Sequence, residues 1–89
     1  MSTVIYKYGP LLLPGTVHEV LGKPIKLDGQ GTPKQMFCWC LVELYNDGTH
    51  IPHQNRKVRI VATGQPYTGS YIDSYVEDNG LVWHLVTAD

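Results

Sequence analysis

Residues 36–44 read Met-Phe-Cys-Trp-Cys-Leu-Val-Glu-Leu, a run that is apolar on both sides of any strand it forms. Successive side chains of a strand point to opposite faces. Phe37, Trp39 and Leu41 therefore take one face, and Met36, Cys38, Cys40 and Val42 the other. A sheet with one wet face alternates apolar and polar residues, so a run like this is expected to be covered on both sides. The last apolar stretch behaves alike: Leu81, Trp83 and Leu85 oppose Val82, His84 and Val86. The Phe37, Trp39 and Leu41 face is expected to form the intramolecular core. The Cys38 and Cys40 face then needs either the chain's own loops or a second subunit.

Glycine and proline punctuate the rest of the chain about every ten residues, which suits short strands and tight turns. Strands are expected at 3–8, with Val4, Tyr6 and Tyr8 on one face and Gly9-Pro10 as the stop, then at 16–21, 24–27, 35–45, 57–63, 69–76 and 81–86. A short apolar run, 11–13, follows the first, and a loop is expected at 28–33. Asn46-Asp47-Gly48 and Asp78-Asn79-Gly80 are turn signals of the kind that supply positive φ. The second joins two strands in a hairpin pattern. No run carries apolar residues at helical spacing with caps. The expected fold is all-β, a small antiparallel sheet rolled into a compact sandwich or barrel with little or no helix.

The chain has 89 residues and is read as one domain, 1–89. A chain this short buries only roughly 60% of its unfolded surface and gains from a staple or a partner. Cys38 and Cys40 are a poor staple: two residues apart on a strand, their Cα atoms stand roughly 6.5–7 Å apart, at the edge of disulfide geometry. They are read as reduced thiols, and a homo-oligomer is expected to supply the missing burial. The formal net charge of −1 leaves no electrostatic footprint for nucleic acid. No stretch approaches the ~20 apolar residues of a membrane helix, and the N-terminal residues carry no signal-peptide pattern. A cytoplasmic workplace is expected.

Few residues suggest chemistry. Cys38 and Cys40 with His50 and His53 have the ligand types of a zinc site, but C-x-C is a poor match to the usual knuckle and buried cysteines serve as small apolar side chains. No metal and no cofactor is expected. His84 has no G-x-S-x-G or paired carboxylates to work with, so no catalytic constellation and no enzyme is expected. The most site-like segment is Ala62-Thr63-Gly64-Gln65-Pro66. A glycine after a strand lets backbone N–H groups turn towards an anion. Arg59 and Thr63 share the face leading into it, and Tyr67 follows. Guanidinium, hydroxyl and aromatic groups together suit a small phosphorylated, nucleotide-like ligand. Arg59, Thr63, Gly64, Gln65, Tyr67, Trp83 and His84 are the candidate ligand-binding residues. Tyr71 and Tyr75 are read as sharing a strand face, with Asp73 between them, and as packing across the sheet.

Four segments occur in a recognisable order: Val4-Ile5-Tyr6-Lys7-Tyr8, Cys38-Trp39-Cys40-Leu41-Val42-Glu43, Arg59-Ile60-Val61-Ala62-Thr63-Gly64-Gln65-Pro66 and Gly80-Leu81-Val82-Trp83-His84-Leu85. Together they resemble a family of small, uncharacterised bacteriophage proteins with an I-Y-K-Y start, a W-x-L-V strand, a G-T-G-x-P loop and a V-W-H end. The chain departs from that pattern at Ala62, where glycine is usual, and its 46–55 loop is long. The resemblance implies a phage origin and the host bacterial cytoplasm as workplace. Small phage proteins tend to be non-enzymatic and to bind a host protein or sequester a host metabolite. The function expected is therefore an anti-defence protein that binds and sequesters a nucleotide-type signalling ligand, with Arg59 on a phosphate, the Thr63 and Gly64 backbone donating, and Tyr67 or Trp83 stacking on a base. The alternatives are an inhibitor that binds a host protein through a tyrosine-rich sheet surface, and an accessory structural protein of the phage.

Overall fold

The computed structural model describes residues 1–12 and 14–88; Leu13, the end of the apolar run expected at 11–13, lies outside the described residues. The strands are β1 (Ser2–Leu11), β2 (His18–Leu21), β3 (Lys23–Gln30), β4 (Gln35–Leu44), β5 (Asn55–Ala62), β6 (Tyr71–Val76) and β7 (Val82–Thr87). They form two antiparallel sheets, β1-β4-β3 and β2-β5-β7-β6. The sheets pack face to face as a sandwich, with Val20, Leu27, Met36, Cys38, Cys40, Val58, Ile60 and Leu85 between them. The described residues contain no helix, and hence none long and apolar enough to cross a membrane.

Between β2 and β3 the chain changes sheets at a single residue. Gly22 separates β2 from β3, holds φ at +97°, and donates its N–H to the Gln54 carbonyl at 3.0 Å. A Cβ there would overlap the Leu41 carbonyl oxygen and lie 2.7 Å from Val42 Cγ2. Only glycine fits this corner. The two sheets are also tied along one side, where β3 and β6 are both edge strands. Asp73 Oδ2 accepts the free Leu27 N–H at 2.8 Å, and the Tyr75 ring lies where a Cβ on Gly29 would stand, 2.6 Å from its Cε2. A strand edge that would otherwise expose unpaired amides is thereby closed.

The two-sided strand is central, as its composition requires, but its faces are the reverse of the expectation. Met36, Cys38, Cys40 and Val42 are the fully buried set, while Phe37, Trp39 and Leu41 are half-buried on the outer face. Cross-strand neighbours decide the matter. Cys38 stands opposite Tyr8 and Leu27, and Cys40 opposite Tyr6 and Pro24. Trp39 stands opposite Lys7 and Lys26. Lysines cannot enter the core unpaired, so their face turns outward and the slim cysteines let the sheets close to the ~10 Å of stacked sheets. Lys7 then covers the rings, its ammonium 4.2 Å from the Phe37 centroid and 5.8 Å from that of Trp39, while donating to Gln30 Oε1 at 2.7 Å.

Three further expectations change. β1 does not stop at Gly9-Pro10. It bulges there and resumes, with Tyr8 opposite Cys38 and Leu11 opposite Met36. The 28–33 loop is shorter than expected, because pairing with β4 extends β3 to Gln30. Tyr71 and Tyr75 do not share a face. A bulge at Ile72 places Tyr71 opposite Val86 but Asp73 opposite Leu85, so Tyr75 points into the sandwich and Tyr71 out of it. The β6–β7 hairpin forms, with Gly80 N donating to Glu77 O at 2.9 Å.

Candidate functional site

The outer face of the second sheet carries the candidate site. On β7, Trp83 and Leu85 point inward, so Val82, His84 and Val86 point outward. His84 stands between Val61 on β5 and Ser74 on β6. Val61 and Val86 face outward too, yet are 1% and 0% exposed. The segment after β5 closes over them: Gly64 turns the chain with φ +87°, and Gln65 folds back, its Oε1 accepting Ala62 N–H at 3.1 Å. Val61, Gly64, Gln65, Tyr67, Tyr71 and His84 wall a hollow of about 380 Å³.

Both ring nitrogens of His84 meet hydroxyls. Thr63 Oγ1 lies 2.8 Å from Nε2, and Ser74 Oγ lies 2.6 Å from Nδ1. Tyr71 OH is 2.9 Å from Ser74 Oγ, and Thr63 Oγ1 is 3.4 Å from the Val82 carbonyl. A carbonyl only accepts, which gives the chain a direction. Thr63 donates to Val82 O and accepts from Nε2–H; Ser74 donates to Nδ1 and accepts from Tyr71. A neutral imidazole with its proton on Nε2 satisfies every member. The Tyr71 ring, at 6.3 Å and 57° to the His84 ring, closes the side of the hollow.

This arrangement presents hydroxyls, the Gln65 amide and two tyrosine rings. It contains a Ser–His pair at nucleophile–base distance, but Asp73, the acid beside Ser74, turns to the opposite face and holds Leu27 N–H. Among the described residues no carboxylate orients the imidazole, as a hydrolytic triad would require.

Of the expected residues, Thr63, Gly64, Gln65, Tyr67 and His84 gather here. Arg59 stands on the same face, across from Val86 and one pleat before Val61, with its Nε buried and unpartnered. Trp83 is not brought to the hollow. As the neighbour of His84 on a strand it points the other way, packs on the core, and buries its Nε1. Stacking of Trp83 on a ligand at this hollow is thereby removed. Ser74 and Tyr71 were missed as partners of His84. The hairpin turn at Asp78-Asn79-Gly80 was the signal that would have set Ser74 opposite His84.

The other chemical candidates lie apart. Cys38 and Cys40 are free thiols sealed between the sheets. The hydrogen bond with Cys40, and then burial, hold the Cys38 thiol far above its usual range. His50 and His53 are exposed on the 45–54 connection, where His50 Nε2 meets Tyr6 OH at 3.1 Å. Among the described residues no group of three or more His, Cys, Asp and Glu is gathered that could hold a metal ion.

A two-sheet antiparallel sandwich with a polar hollow on one outer face defines the class. The family model of a domain of unknown function, DUF7352, matches residues 1–89, and the chain belongs to that family. No curated protein and no solved structure matches it.

Proposed function

We propose that the chain is a non-enzymatic, phage-encoded protein that counters host defence in the bacterial cytoplasm by capturing a small nucleotide-type signalling ligand in the His84 hollow. The observation that carries this reading is the directed hydroxyl–imidazole–hydroxyl chain set beside two tyrosine rings. Tyr67 and Tyr71 offer faces for a base, being 41% and 56% exposed. Thr63, Ser74 and the Gln65 amide offer hydrogen bonds to ribose or base edges, and Arg59 on the same sheet face offers a phosphate contact. A homo-oligomer is part of the proposal, supported by the half-covered Phe37, Trp39 and Leu41 face of the first sheet. Exposed Tyr71 and Tyr67 on one face also favour the second reading, direct inhibition of a host protein.

The test is a thermal-shift and calorimetric screen with cyclic dinucleotides and ADP-ribose derivatives. The reading expects a saturable shift with one of them, lost in His84→Ala and weakened in Arg59→Ala. No shift with any of them, together with one host protein retained stoichiometrically in a pull-down, supports direct inhibition instead.

A further inference from the structure

A second opening lies on the side of the sandwich, and two irregularities create it. The edge strand β3 bulges between Pro24 and Lys26, and the edge strand β6 bulges between Tyr71 and Asp73. The extra residues are Ile25 and Ile72, which line one hollow of about 410 Å³. Bulges re-aim side chains and interrupt pairing where a strand borders a site. Here two of them, one in each sheet, open the same side, next to the point where Asp73 and Tyr75 close it.

The walls of this hollow are chemically lopsided. Ile25, Ile72 and Tyr71 form an apolar part, with Ile25 40% and Tyr71 56% exposed. Lys23 and Arg56 form the other end. They come from different sheets and are brought together by the Gly22 corner, since Lys23 follows it directly and Arg56 stands opposite Val20 on β2. Among the described residues no carboxylate lines this hollow. Arg56 uses one Nη on backbone carbonyls, those of Asn55 at 3.0 Å and His53 at 3.5 Å. Among the described residues the rest of its guanidinium fork has no partner, nor has the Lys23 ammonium. The hydroxyl wall is set in place beforehand: Thr87 Oγ1 accepts Ser70 N–H at 2.7 Å, and Thr87 N–H donates to Ser70 O at 2.9 Å. Two cations with donors unpartnered among the described residues, a fixed hydroxyl and an apolar floor, in a volume typical of small-molecule sites, specify a ligand with an anionic head and an apolar body.

We propose that this cleft binds a small organic anion, a phosphate or carboxylate head on Lys23 and Arg56 with a ring or short aliphatic body against Tyr71, Ile25 and Ile72. It is separate from the His84 hollow, with Tyr71 as the shared wall, and stands whether or not that hollow binds a nucleotide.

The test is a 15N–1H NMR titration of the whole chain with phenyl phosphate, benzoate, benzyl alcohol and inorganic phosphate. The expected result is saturable shifts of the amides at 22–25, 56, 70–72 and 87 with the two aromatic anions. Phenyl phosphate against benzoate distinguishes the two head groups. Benzyl alcohol and inorganic phosphate, each carrying half of the recognition, should bind at least tenfold more weakly. Arg56→Gln and Lys23→Gln, both exposed positions whose folding the same spectra report, should each weaken the anions about tenfold. Binding that is as strong for benzyl alcohol, that survives Arg56→Gln, or that maps only to His84 and its neighbours overturns the proposal, as does the absence of shifts in the cleft.

Discussion

The two sheets present outer faces of opposite character. That of the first sheet is hydrophobic and simple: Phe37, Trp39 and Leu41 lie half-covered, Ile5 stands 59% exposed, and Lys7 is draped over the rings. That of the second sheet is polar and layered: Val61 and Val86 are buried on it beside a directed chain of Tyr71, Ser74, His84 and Thr63. Both faces begin from strands that look equally apolar in sequence. The difference shows that a two-sided strand need not mean two cores. In β7 the second face became the floor of a candidate site. In β4 it became a surface that a lysine side chain covers in part.

The comparison can be broken at several strengths. Leu85 and Val86 are neighbours on β7, both fully buried and on opposite faces. Leu85→Ala should cost about 2–5 kcal/mol in urea unfolding. Val86→Ala should cost about 1.5–3 kcal/mol if the outer layer of the second sheet is truly packed, whereas Ile5→Ala on the first sheet should stay within about 0.5 kcal/mol. Equal, small effects of Val86→Ala and Ile5→Ala would erase the distinction.

The buried side of β4 gives a pH test. Cys38 has a folded pKa raised above its ordinary value of 9.0. The unfolded thiol ionises first, so the unfolded state releases protons that the folded state retains. Stability is full below the ordinary thiol pKa and falls as pH rises above it, by up to about 1.4 kcal/mol per pH unit. Between pH 8 and 10 the native chain should lose about 1.4 kcal/mol more than Cys38→Val. Identical pH curves would place Cys38 on a solvated face.

On the second sheet, Ser74→Ala removes the donor to Nδ1 and the acceptor for Tyr71. A loss of about 1 kcal/mol is expected, with the His84 ring nitrogens leaving the single Nε2–H tautomer in 15N spectra. A comparable or smaller effect belongs to the lysine of the first sheet: Lys7→Ala should cost about 0.5–1 kcal/mol and expose Trp39, read as a red shift of tryptophan emission. A larger cost from Lys7→Ala than from Ser74→Ala would reverse the ranking of the two faces.

Much of this fold was readable in the residues. The all-β class, the seven strands, the Asn46 and Asp78 turns and the centrality of β4 follow from alternation and turn chemistry. Which face of β4 turned inward did not, because Phe37-Trp39-Leu41 and Met36-Cys38-Cys40-Val42 are comparably apolar. Register supplied the answer by setting Lys7 and Lys26 beside Trp39. The same limit hid half of the candidate site. Thr63, Gly64, Gln65 and Tyr67 are contiguous and announced themselves. Ser74 reaches His84 only through a hairpin, and Tyr71 reaches Ser74 only because the Ile72 bulge flips it to the outer face. Trp83 was offered as a stacking aromatic, but alternation along β7 puts it on the face opposite His84, inside the sandwich.

The most direct discriminator between the two faces is a 15N–1H titration of the native chain with a cyclic dinucleotide and with ADP-ribose. A ligand captured on the second sheet should move the amides of 61–67, 71–74 and 84, and shift the His84 ring nitrogens, while leaving 5–7 and 37–41 in place. Shifts confined to 5–7 and 37–41 would contradict capture at the His84 hollow, and so would saturation with no movement anywhere in the spectrum.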